Sequence, residues 1–186
     1  MKISRFLMAI FLSVLCAISS SAQKKFKYEL NNEKNRLYTV SPNFKQPIDE
    51  VNQDDRLRGA GVYFDDSEKI GLEIDSVIKN AVTAEKWQDL FGLAQENKRA
   101  DISLTFSPSG DFYRLIFYLK PSHLEILSDD DLYSIYQAFL NFRMDMSLVD
   151  LEYPFGNTKS PDDFFWSVGT PFPSKAYRAL MENQKP

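Results

Sequence analysis

Residues 101–119 constrain the fold more than any other stretch of the chain. Ile102, Leu104 and Phe106 alternate with Ser103 and Thr105, the two-residue period of a strand with one buried face. Ser107-Pro108-Ser109-Gly110 supplies a turn, in which proline presets φ at the second position and glycine relaxes the fourth. Phe112–Leu119 reads as the returning strand, with Tyr113, Leu115, Phe117 and Leu119 on one face and Phe112, Arg114, Ile116 and Tyr118 on the other. A strand apolar on both sides belongs in the middle of a sheet.

Helical spacing surrounds this hairpin. Pro121 ends the second strand, and Ser128-Asp129-Asp130-Asp131 opens a helix. Ser128 can accept from the free N–H groups of the first turn, and the aspartates complement the positive end of the helix dipole. Leu132, Ile135, Tyr136, Phe139 and Leu140 form one apolar stripe, and Arg143 suits the negative end. Upstream, Ile74, Val77, Ile78 and Ala81, then Trp87, Leu90, Phe91 and Ala94, repeat the spacing. Roughly 72–97 is therefore expected to be helical, with a break near Thr83, which can cap the second segment.

Residues 146–151 are expected to be extended, and Phe164, Trp166 and Val168 fit a last strand. Pro171 and Pro173 then break the chain, and Ser174 can cap a short helix over 175–181. Residues 23–66 are polar and irregular, with short strands at 37–40 and 61–64. Asp54-Asp55 and Asp65-Asp66 read as loop. The fold class is α+β: a small antiparallel sheet containing the 101–119 hairpin, packed by two to three helices. The 67–186 domain forms a single globular unit with 23–66.

The first 22 residues read as a secretory signal peptide. Lys2 and Arg5 form a positive start, Phe6 to Ile18 is an apolar run of 13 residues, and Ser20-Ser21-Ala22 offers small residues for cleavage between Ala22 and Gln23. The run is shorter than the roughly 20 residues a spanning helix needs. Lipid attachment at Cys16 is disfavoured, because Leu15 stands where a small residue is required. The product is expected in the periplasm or outside the cell, without stable membrane insertion.

Cleavage there leaves 164 residues with no cysteine, so a hydrophobic core rather than disulfides must hold the fold. Removal of Lys2 and Arg5 takes the net charge from −4 to −6. An acidic chain is poorly suited to nucleic acid or anionic lipid. Lys24, Lys25 and Lys27 form the one basic cluster and are expected in a frayed, solvated tail.

The order helix, hairpin, helix, strand over residues 84–169 resembles the C-terminal domain of TonB-type proteins and small exported bacterial proteins of the same layout. The residues that carry it are Ile102 to Phe106, Ser109-Gly110-Asp111, Leu115 to Leu119, the Ser128–Arg143 segment and Phe164 to Val168. The resemblance implies a sheet whose edge can add a partner's strand. It does not imply energy transduction: Tyr153-Pro154 lies after the second helix rather than ahead of the domain, and the retained anchor and proline-rich spacer are absent.

Catalytic residue types are scarce. The mature chain offers no cysteine nucleophile, and His123 is the only histidine, which leaves little for zinc, copper or iron. His123 sits in a Pro-Ser-His-Leu turn and is expected to be a surface or turn histidine; no Gly-x-Ser-x-Gly elbow accompanies it. No phosphate-binding glycine motif occurs, so no cofactor is expected. Asp65-Asp66, Asp129 to Asp131 and Asp162-Asp163 are the carboxylates a glycan or peptidoglycan hydrolase would draw on. Asp129 to Asp131 are better explained by helix capping.

No catalytic, cofactor or metal residue is assigned. Aromatic side chains are the remaining contact material, and Phe155, Trp166 and Tyr118 are the candidates. The leading expectation is an exported, non-catalytic binding or envelope-associated module whose partner is an envelope protein or glycan. A carboxylate-dependent hydrolase is the alternative, and an inhibitor or immunity-type protein the third.

Overall fold

The hairpin lies at the heart of a five-stranded antiparallel sheet. The computed structural model describes residues 24–31, 37–50, 61–64, 66–152 and 165–183. The sheet comprises β1 (Phe26–Asn31), β2 (Leu37–Pro42), β4 (Ala100–Phe106), β5 (Phe112–Leu119) and β7 (Trp166–Phe172), in the spatial order β1-β2-β5-β4-β7. β3 (Gly61–Phe64) and β6 (Val149–Glu152) pair separately. The helices are α1 (Ser67–Ala81), α2 (Ala84–Gln95), the single turn α3 (Pro121–Leu124), α4 (Asp129–Leu140) and α5 (Lys175–Asn183).

β5 is central, as its two apolar faces require. The register sets Ile102 opposite Phe117 and Leu104 opposite Leu115, so both strands drive these side chains into one core. α1 contributes Ile70, Ile74 and Ile78 to it, and α4 contributes Leu132, Ile135, Tyr136 and Phe139. Full burial of each such side chain stabilises the fold by roughly 1.5–3 kcal/mol. Caps start the helices: Asp66 accepts from Lys69 N–H at 2.9 Å, Thr83 from Lys86 N–H at 3.4 Å and Ser128 from Asp131 N–H at 3.3 Å. Asp131 returns the contact by accepting from Ser128 N–H at 2.8 Å, which completes a capping box.

Several expectations are corrected. The expected break near Thr83 is present, with Val82 extended and Thr83 capping the second helix, but the helical stretch begins earlier, at Ser67, and ends at Gln95. Phe112 does not share the exposed face of Arg114: an irregularity between Thr105 and Phe106 shifts the register, and Phe112 is buried against Phe139. Leu140 falls off the buried stripe of α4 and is exposed.

Arg143 lies beyond α4, where its Nε donates to Ser109 C=O at 2.9 Å and so braces the hairpin turn. The last strand begins at Trp166 and runs on through Pro171, which was expected to break the chain; Phe164 lies outside the described residues. Pro171 stands on an edge strand, where a missing N–H is tolerated. Lys25 and Lys27 are not in a frayed tail: Lys27 lies inside β1 and Lys25 immediately precedes it.

Candidate functional site

Two strands bound the large sheet. β7 is flanked by α1 and β3. β1 is the other edge, paired with β2 from Phe26↔Pro42 to Asn31↔Leu37, and no described strand lies on its far side. Asn43 N–H donates to Lys25 C=O at 2.8 Å. The alternation of an antiparallel ladder then turns the amide groups of Lys27 and Glu29 toward β2 and those of Tyr28 and Leu30 outward. Leu30 is 46% exposed, one of the few large apolar side chains on the described surface.

α4 fixes this edge in place. Lys25 N–H donates to Asp129 Oδ2 at 3.2 Å, and the Lys25 ammonium pairs with Asp130 at 2.8 Å while lying 4.3 Å from the centre of the Tyr133 ring. The Tyr28 hydroxyl donates to the Asp129 carboxylate. Burial, reinforced by that carboxylate, raises the Tyr28 hydroxyl above the ordinary phenol range. Phe26, beneath the strand, packs edge-on against Phe44 and Phe117. The edge is thus tied to α4 at Lys25 and Tyr28 and keeps outward backbone groups. On its solvent face Lys27 and Glu29 form an ion pair of 2.5 Å.

Tyr118 lies on the side of β5 opposite the core, half-buried between Thr39 and Asp101 in the cross-strand row. Trp166 does not belong to any contact surface. It is 2% exposed, its indole Nε1 donates to Ser107 C=O at 2.8 Å, and its ring leans on Phe106 at 5.0 Å. Phe155, Asp65, Asp162, Asp163, Ala22 and Gln23 lie outside the described residues, as does Cys16. A cleft of about 330 Å³ opens beside Arg114, walled by Ser41, Pro42, Phe44, Gln46 and Asp49. Two of its polar groups are engaged internally: Gln46 Oε1 accepts from Leu115 N–H at 2.9 Å, and the Asp49 carboxylate accepts from Gln46 N–H at 2.8 Å.

His123 corrects the surface expectation: it is in the α3 turn but only 1% exposed. Its Nδ1 accepts from Lys120 N–H and its Nε2 donates to Lys98 C=O, both at 2.9 Å. Burial holds its pKa below the ordinary imidazole value, and both ring nitrogens are occupied, Nδ1 at the start of α3 and Nε2 in tying α3 to the α2–β4 connection. Asp75 in α1 is equally buried. Burial pushes its carboxyl up to about 6, against the opposing hydrogen bonds from Ser174.

The other described aspartates of interest stand at element starts: Asp66 on α1, Asp129 to Asp131 on α4 and Asp145 before the 146–148 turn. Among the described residues no group of three or more histidine, cysteine or acidic side chains is placed to hold a metal ion, and no helix is long and apolar enough to cross a membrane.

Sequence reasoning missed β1 as the exposed edge. The signal was present: Phe26, Tyr28 and Leu30 alternate with Lys27 and Glu29. Compared with protein-family models, curated proteins and solved structures, the chain matches none.

Proposed function

We propose that the chain is an exported, non-catalytic binding module that takes an envelope partner by adding the partner's strand to β1. One observation carries this reading: β1 is a six-residue edge strand, braced by α4 from below, with the Tyr28 and Leu30 amide groups turned outward. Backbone hydrogen bonds along such an edge supply affinity, and alternate side chains supply selectivity. The residue pattern of 1–22 supports export, and the layout that resembles TonB C-terminal domains is in keeping with strand addition.

Tyr28→Pro tests the reading. It deletes an outward donor together with the hydroxyl that meets Asp129, and leaves the β2-facing groups of Lys27 and Glu29 in place; Tyr28→Phe removes the hydroxyl alone and is expected to keep the partner. Envelope extract is passed over the purified protein and over this variant. A partner strand is expected to protect the Tyr28 and Leu30 amides from hydrogen exchange and to be lost with proline. Retention of the same partner by the proline variant, or no protection along β1, refutes it.

A further inference from the structure

The edge carries a charge pattern that selects among partners and registers. Resting on the strand-addition reading, we infer that, while no envelope strand occupies it, β1 pairs antiparallel with β1 of a second copy of this chain, about a two-fold axis through Tyr28. Outward-facing residues must meet outward-facing residues across a new antiparallel ladder, so Phe26, Tyr28 and Leu30 can oppose only one another. Three registers give substantial overlap.

An axis at Lys27 sets Lys27 against its own copy, and an axis at Glu29 sets Glu29 against its own copy. Like charges directly opposite are destabilising. The axis at Tyr28 avoids both. It brings Lys27 opposite Glu29 of the second copy, twice by symmetry, and Phe26 opposite Leu30. The Lys27–Glu29 pair now closed within one strand becomes a four-charge lattice across the junction. The two α4 carboxylates that reach the strand, Asp129 and Asp130, are held by Tyr28 and Lys25 of their own copy. A two-fold contact of this kind is isologous and closes at two copies, so it makes a dimer rather than a fibre. A single strand pair is a small interface, and the association is weak and reversible.

The charge pattern dictates the test, read by sedimentation of the purified protein over a concentration series. The wild-type chain is expected to pass from monomer to dimer as concentration rises. Lys27→Glu sets the new carboxylate opposite Glu29, and Glu29→Lys sets the new ammonium opposite Lys27, so each variant alone is expected to remain monomeric. Mixed together, each Lys27→Glu copy faces a Glu29→Lys copy with every pair complementary, and the dimer is expected to return. A misfolded variant cannot give that rescue.

A wild-type monomer at all concentrations overturns the inference, as does a dimer indifferent to the single substitutions or a mixture that stays monomeric. A monomer that still captures an envelope strand, with that capture lost in Tyr28→Pro, overturns self-pairing alone and leaves strand addition standing.

Discussion

Asp75 grips the start of the C-terminal helix: both of its carboxylate oxygens accept the backbone N–H of Ser174, at 3.1 and 2.9 Å. Ser174 in turn accepts from Tyr177 N–H through its hydroxyl at 3.1 Å, so the residue that caps α5 is itself anchored to α1. Gly71, one turn earlier, makes the approach possible, since a Cβ there would meet Ser174 Cβ at 3.0 Å.

This buried carboxyl gives stability a definite slope with pH. Its folded pKa of about 6 lies above the ordinary 3.8, so the native state holds the proton more tightly. The contribution is fully present below pH 3.8 and is lost as pH rises through about 6, a change of about 3 kcal/mol. Asp75→Asn keeps an acceptor for Ser174 and removes the titration. Chemical denaturation across this range is expected to show the slope in the wild type and lose it in the variant.

His123 has the opposite sign. Its folded pKa is lowered, so its contribution is present above pH 6.5 and is lost as pH falls below that value. His123→Ala leaves the Lys98 carbonyl and the Lys120 amide without their partner and is expected to cost about 1–3 kcal/mol. Urea unfolding at neutral pH reads the cost, and repeating it at lower pH shows the gap to the wild type narrowing.

Trp166 and Tyr118 are expected to separate cleanly. Trp166→Ala empties a core site and orphans the Ser107 carbonyl, at a cost of about 3–5 kcal/mol. Tyr118→Ala removes a half-buried ring on the other side of the sheet and is expected to cost no more than about 1.5 kcal/mol. Thermal melts of the two variants, run together, compare them directly.

The export reading makes a chemical prediction as well. Protein recovered from cells that make the full chain is expected to begin at Gln23, which N-terminal sequencing reads. Recovery with Met1 intact, or with a lipid-modified Cys16 at the start, rejects cleavage after Ala22.

Local periodicity carried much of the fold. The α4 stripe from Leu132 to Phe139 and the 101–119 hairpin are legible because each repeats its own period over several residues. β1 was not, because its five alternating residues pair with β2 and β2 in turn needs β5, with Val40 opposite Phe117. Three lysines in four residues outweighed that alternation on a reading confined to neighbours. Trp166 misled for another reason: size and aromaticity are the same in a core and at a contact, and only the Ser107 carbonyl decides between them. The burial of His123 likewise rests on Lys98, far along the chain from its turn.

The strand order β1-β2-β5-β4-β7 also determines when the molecule can close. Tyr38 must wait for Leu119, and Ala100 for Phe172, so neither end of the sheet can be finished by the half of the chain that emerges first. Such distant pairings fold slowly, because the loop entropy is lost before the contacts form. A polypeptide that emerges N-terminus first therefore cannot complete its hydrophobic interior until Phe172 has appeared.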